Sequence, residues 1–296
     1  MEQRSDATVV ARIPADPRPV ASEQWWQRVR RWRGLLKEAL ARPLYGAYEH
    51  RILLECLQEP PPRHVGIILD GNRRHGRRSG LKDPTQIYTL GAEKLDAVLD
   101  WCGELAISAV TLWVCSTDNL NRPADEVAGI LRAVEAKLRT LTEDPQIHRR
   151  RVRVQAIGRL DLLPESTAAA IQAAQDATSH YDGMTLTIAI AYGGREEIVD
   201  AVRAVLCEAM RDGASLQEAI GRVDTQAIGK NLYLSAGSDP DLIIRTSGEV
   251  RLSGFLLWQS AYSEFYFSDV LWPAFRKIDF LRAVRSFQDR KRRFGR

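Results

Sequence analysis

Four cysteines in 296 residues, with no C-x-x-C pair and no metal-ligand spacing, exclude a disulfide framework and a zinc module. Cys56, Cys102, Cys115 and Cys207 read instead as reduced, mostly buried thiols. No apolar run approaches the ~18 residues that span a bilayer, and the N-terminus has no apolar signal core. The expected setting is therefore cytoplasmic. The excess of one sign of charge is also small, the net value being only +4. The basic residues cluster at 28–33, 73–78, 149–153 and 290–296, which suits anionic small molecules or a membrane surface; nucleic acid is not an expected partner. Neither G-x-G-x-x-G nor a P-loop GK[ST] occurs, so nucleotide phosphates are not the expected guests. What is present is 45% hydrophobic content, enough for one large core or two modest ones.

Residues 1–22 are polar and aperiodic and predict a flexible tail. Residues 23–59 predict a helical extension, with Trp25, Trp26, Val29, Trp32, Leu36 and Leu40 at three- and four-residue steps among arginines. Such a helix suits contact with the inner face of a membrane, or a cap over a groove on the body, and both readings stay open. Pro43 breaks it, and Leu44 to Leu57 begins another helix.

From 60 to 296 apolar runs alternate with helical patterns. Strands are expected at 65–69, 109–115, 152–158, 186–194, 241–249 and 265–273. A loop over 80–86, a helix over 91–105 and a single helical stretch over 216–232 complete the reading. Strand, helix, strand at this spacing predicts one α/β domain, an open, mostly parallel sheet of about six strands flanked by helices.

The chemistry gathers at the strand tips, where ligands of open parallel sheets bind. The first strand stops at Asp70, followed by Gly71, Asn72, Arg73 and Arg74. An isolated Asp-Gly-Asn reads as a capping acid before a solvated basic helix. Here, however, Ser116 to Arg122, Gly193-Gly194-Arg195 and Arg245 to Glu249 fall on the same edge, with Arg251 and Ser253 just beyond. Several guanidiniums and free N–H groups around one carboxylate suit a diphosphate bound through a divalent metal.

The blocks HVGIILDGNRR, STDNLNRPADEV, AYGGREEIVDA, DLIIRTSGEVRLSGFLLWQSAYSEFYFSDVLWPAF and the terminal RRFG, from about Pro62 to Arg296, resemble the cis-prenyltransferases, the undecaprenyl diphosphate synthase family. The resemblance implies condensation of isopentenyl diphosphate with an allylic diphosphate, with Mg²⁺ as cofactor. It places Asp70 and Glu264 on the metal, and Gly71, Asn72, Arg73, Arg74 and the neighbouring His75 at the allylic diphosphate. Arg245, Arg251 and Ser253 would grip isopentenyl diphosphate, with Ser116 and Arg122 as further contacts. Asn119 matches the proton-acceptor position; an amide is a weak base, so it is expected to orient the departing proton. Arg293 and Gly295 match a motif that reaches across a homodimer interface.

Departures from the family pattern narrow the expectation. His75 stands for a usual Trp, Arg73 for a Gly, Val250 for a common His, and Asp118-Asn119-Leu120 for Glu-Asn-Trp. Lys82-Asp83-Pro84 and Tyr88 occupy a loop that normally carries Arg and His. These changes resemble the short-chain actinobacterial branch, which makes (2Z,6E)-farnesyl diphosphate from geranyl diphosphate. Val114, where long-chain members tend to be smaller, would then limit chain length by overlap. A long-chain polyprenyl diphosphate synthase is the alternative. A regulatory subunit is disfavoured because Asp70 and Glu264 are both present, and a phosphohydrolase because Asn72 stands where a second acid is needed.

Overall fold

The run HVGII forms β1 (His64–Ile68), and every one of its residues is buried. Burial on both faces is what a central strand of a parallel sheet requires, which explains a continuous rather than alternating apolar run. The computed structural model describes residues 46–234, 237 and 239–294. The tail, the Trp/Arg helix expected before Pro43, and Gly295 lie outside the described residues, as does the side chain of Arg293. By internal contacts the chain forms two units, 1–48 and 49–296; the second is described here, and helix α1 (46–57) leads into it.

Six parallel strands form one sheet in the order β3-β4-β2-β1-β5-β6. They are β1, β2 (Ala109–Trp113), β3 (Val152–Ile157), β4 (Met184–Ala189), β5 (Leu242–Arg245) and β6 (Glu264–Phe267). The helices are α2 (Asn72–Arg78), α3 (Pro84–Glu104), α4 (Ala124–Glu143), α5 (Pro145–Arg149), α6 (Glu165–Thr178), α7 (Gly194–Arg211), α8 (Leu216–Gly221), α9 (Thr225–Asn231) and α10 (Lys277–Phe294). From β1 the chain moves to β2 on one side; from β5 it moves to β6 on the other. The switch point therefore falls between β1 and β5, where open sheets leave a crevice. Residues including Val98, Leu112, Leu138, Leu186, Trp272 and Phe280 form the main core. No helix among the described residues is long and apolar enough to cross a membrane.

Several expected boundaries differ, the fourth and fifth strands stopping early at Ala189 and Arg245. The helix expected from 91 begins at Pro84, because Asp83 caps it by accepting Thr85 N–H at 2.9 Å and proline suits its first position. The single stretch over 216–232 is two helices, since Asp224 starts a second one by capping Ala227 N–H at 2.7 Å. The sixth strand ends at Phe267, and Trp272–Ala274 turns as a short 3-10 helix. Cys56, Cys102 and Cys115 are buried free thiols, while Cys207 is exposed.

Candidate active site

The first functional turn is enforced by sterics. Gly71 has φ +108°, and a Cβ there would lie 2.9 Å from Leu271 Cδ2 and 3.0 Å from its Cα. Only glycine serves at such a position. The turn puts Asp70 at the end of β1 and sends Asn72, Arg73, Arg74 and Arg77 into α2. Next door, Arg245 closes β5 in register with Ile68. Its Nη2 donates to Asp70 Oδ2 at 2.9 Å, while Nη1 donates to Arg251 carbonyl oxygen at 2.5 Å and to Ser253 Oγ at 2.8 Å. The Arg245 side chain is 5% exposed against 32% for Asp70. Arg245 is thus an internal brace that holds Asp70 and the 251–253 loop together, while Arg73, Arg74 and Arg251 are more open to solvent and pair with Glu126, Asp70 and Glu249. Ser247 (φ +86°) and Ser253 (φ +53°) both hold left-handed backbone beside this brace, the kind of strain that concentrates at working sites.

Burial alone would raise the Asp70 carboxyl, but the hydrogen bond and charge of Arg245, with Arg74 behind, hold it below the usual carboxylate range. It is ionised at neutral pH.

The second strand tip supplies a locked turn. Ser116 Oγ accepts Asn119 N–H at 3.2 Å, and Asn119 Oδ1 accepts Ser116 N–H at 3.3 Å, a reciprocal cap on the turn Thr117–Asn121. Its carbonyl oxygen is engaged in this cap, and Asn119 lines the cleft. Arg122 Nη1 donates to Glu126 Oε1 at 2.9 Å and to Tyr88 Oη at 3.3 Å. Tyr88 itself donates to Glu126 Oε1 at 2.8 Å, and Arg73 Nε lies 3.5 Å from the same oxygen. Burial, then the adjoining Glu126 carboxylate, pushes the Tyr88 phenol up, so it stays a donor. Glu126 was not among the residues singled out from the sequence, yet from the first turn of α4 it gathers Arg73 of α2, Tyr88 of α3 and Arg122 of the preceding turn.

These groups line a cleft of about 580 Å³ with six arginines (Arg73, Arg74, Arg77, Arg122, Arg245 and Arg251) against three carboxylates, Asp70, Asp118 and Glu249. Beside it lies an apolar cavity of about 60 Å³, reaching between α3, α4 and the sheet as far as Leu95, Lys137 and Leu138. Leu69, Asn72, Tyr88 and Val114 line both. Head-group cleft and tail cavity meet at these four side chains.

Not every expected residue joins them. Glu264 opens β6 opposite Leu242, three residues below the Arg245 level and so about 10 Å down the strands. Its carboxylate accepts from Arg290 at 2.6 Å. It stands at the amino end of its strand, whereas Asp70 follows the carboxyl end of β1, and the two are not brought together within one chain. His75 and Arg195 do not line the cleft either, and Arg195 is exposed on α7. Trp113, stacked on Phe255 at 5.4 Å, lines the cleft but not the cavity, whereas its neighbour Val114 lines both.

No cluster of three or more His, Cys, Asp or Glu side chains occurs among the described residues, so no protein cage for a metal is formed. Magnesium commonly needs none: one or two carboxylates suffice when substrate phosphates complete the shell. Asp70, partly exposed and with only Oδ2 taken by Arg245, fits that arrangement.

An anion cleft at the switch point of a parallel sheet, opening into an apolar pocket, defines an α/β protein for phosphorylated lipids. The chain belongs to the prenyltransferase family described as undecaprenyl diphosphate synthase, whose model matches residues 68–295. It is similar to an isoprenyl transferase of Thermus thermophilus, at 52% identity over 87% of this chain and 98% of the relative. It is also 51% identical to a (2Z,6E)-farnesyl diphosphate synthase of Thermobifida fusca, over 86% of this chain and 97% of the relative. Among solved structures, lavandulyl diphosphate synthase from Lavandula x intermedia in complex with dimethylallyl diphosphate aligns with TM-score 0.71 and 32% identity, covering 77% of this chain and 95% of that one. The protein is a prenyltransferase.

Proposed function

We propose that this enzyme joins isopentenyl diphosphate to a short allylic diphosphate, geranyl diphosphate, and releases a short Z-isoprenyl product such as (2Z,6E)-farnesyl diphosphate. The observation that carries the reading is the junction at Leu69, Asn72, Tyr88 and Val114, which joins an arginine-lined cleft to an apolar cavity. A diphosphate in the cleft points its hydrocarbon into the cavity. Arg73, Arg74 and the first-turn N–H groups of α2 bind the allylic diphosphate, and Arg251 with Ser253 binds that of isopentenyl diphosphate. Asp70 would hold Mg²⁺, which when bound supplies charge to offset that growing on the leaving diphosphate. A phosphate oxygen takes the departing proton, and the Asn119 amide donors hold that oxygen in place. Tyr88 and Asn72 separate the wet cleft from the dry cavity and keep water from the developing allylic cation.

The small volume of the cavity and the branched Val114 at its neck support a short tail. The identity shared with the Thermobifida fusca enzyme supports the same reading. A homodimer is supported by β6, which is an edge strand, and by Tyr262 beside it, 98% exposed. Purified protein given labelled isopentenyl diphosphate with geranyl or farnesyl diphosphate tests the chain length directly. A single addition to geranyl diphosphate is expected; a ladder of long polyprenyl products refutes the short-chain reading.

A further inference from the structure

The apolar cavity ends on a charge. Lys137 is the one charged side chain among the described residues that line it, and its side chain is only 11% exposed. Its Nζ donates to Asp96 Oδ1 at 2.5 Å, and Asp96 is 51% exposed. The amine therefore reaches the outer surface while its stem lies along the cavity wall, the common solution for a lysine rooted in apolar surroundings.

Position along the helices shows how deep this is. α3 and α4 run side by side in the same direction. Near their upper ends Gly129 faces Pro84, where a Cβ would approach to 2.7 Å; further down, Lys137 faces Asp96. The eight residues from Gly129 to Lys137 descend about 12 Å. Lys137 thus sits well below Val114 and the cleft, in the seam between two helices, and spans that seam from inside to outside.

We infer that Lys137, held by Asp96, is a plug that closes the cavity sideways and sets the longest tail it accepts. It is a specificity-determining residue acting below Val114. The inference rests on reading the cavity as the tail site. A tail growing past Leu95 must displace the lysine stem or stop. Asp96 is half in water while the lysine is largely buried, so the space filled by the stem is the barrier and Asp96 keeps the stem in that place.

The test compares wild type, Lys137→Ala, Lys137→Met and Asp96→Ala with labelled isopentenyl diphosphate and geranyl diphosphate, sizing the products. Inhibition by the thiolodiphosphates of geraniol, farnesol and geranylgeraniol is measured alongside. Lys137→Ala is expected to lengthen the dominant product by at least one isoprene unit. It should also favour the geranylgeranyl analogue over the geranyl one by about tenfold more than wild type does, ~1.4 kcal/mol. Lys137→Met, which refills the space, should keep wild-type length. Asp96→Ala lies at the surface and should raise the share of longer product even if Lys137→Ala does not fold. Unchanged products and inhibitor order in Lys137→Ala, or in Asp96→Ala if it alone folds, overturn the inference. So does lengthening by Lys137→Met equal to that by Lys137→Ala. The wild-type product reads the short-chain proposal separately: a long wild-type product defeats that proposal, while a shift in Lys137→Ala still supports the plug.

Discussion

Gly91→Ala should uncouple activity from stability. Gly91 lies in α3 directly behind Asn72, and a Cβ there would fall 2.3 Å from Asn72 Oδ1 and 3.2 Å from Trp272 Cδ1. Trp272 cannot give way, because it is fully buried and its Nε1 donates to Gly91 carbonyl oxygen at 2.8 Å. Asn72 must move by about 1 Å to restore an ordinary contact. That movement breaks its hydrogen bond from Nδ2 to Leu69 carbonyl oxygen, now 3.0 Å. Overpacking costs ~1–3 kcal/mol and the lost hydrogen bond ~1 kcal/mol. Exchanging glycine for alanine inside a helix returns about 0.5–1 kcal/mol. The net loss of stability is therefore ~1–3 kcal/mol, and the melting temperature falls by only a few degrees. Activity is a different matter: Asn72 sits where cleft and cavity meet, and a displacement of this size in a positioning group can cost ~10²-fold. Steady-state kinetics with geranyl diphosphate, paired with thermal denaturation, reads both quantities. A folded Gly91→Ala enzyme with kcat/KM within about twofold of wild type would refute the reasoning. In an Asn72→Ala background the same substitution should have little further effect, since the clashing atom is gone.

Asp70→Ala is expected to lower turnover by at least ~10²–10³-fold. Because Arg245 depresses the Asp70 carboxyl in the folded protein, the stability that this pair confers is present above the unfolded carboxylate value and is lost as pH falls through the lower folded one. Asp70 should accordingly produce no acid limb in kcat/KM between roughly pH 5 and 8; a limb there that Asp70→Asn removes would contradict it. Val114→Ala should lengthen the product, and an unchanged product size would remove Val114 from the chain-length argument. Glu197→Gln should destabilise by ~2–4 kcal/mol, read from the denaturant midpoint at constant slope. The buried Glu197 carboxylate accepts from Tyr192 Oη at 2.5 Å, Gln259 Nε2 at 3.0 Å and Tyr233 N–H at 3.0 Å, and an amide cannot satisfy all three. Burial raises its carboxyl above the usual range, so this group's contribution weakens as pH rises between its unfolded and folded values.

Much of the fold was legible because it rests on local pattern. The run HVGII ending at Asp70-Gly71-Asn72, and the similar stops after β2 and β5, announce buried strands with polar tips. Periodicity at 84–90 was faint: Thr85, Gln86, Tyr88 and Thr89 carry no continuous apolar stripe, although Asp83-Pro84 was a usable start signal. The sequence by itself determined which residues form strands, where the strands stop, and that arginines follow the first tip, since these depend on neighbours a few positions apart. Tertiary structure alone decided that Arg245, 175 residues on, braces Asp70 instead of standing free. It also decided that Glu264 falls to the far end of its strand, that Glu126 ties two arginines to Tyr88, and that Lys137 finds Asp96 across a helix seam. Such partnerships are set by strand order and helix packing, which join groups far apart in the chain, and no local preference encodes them.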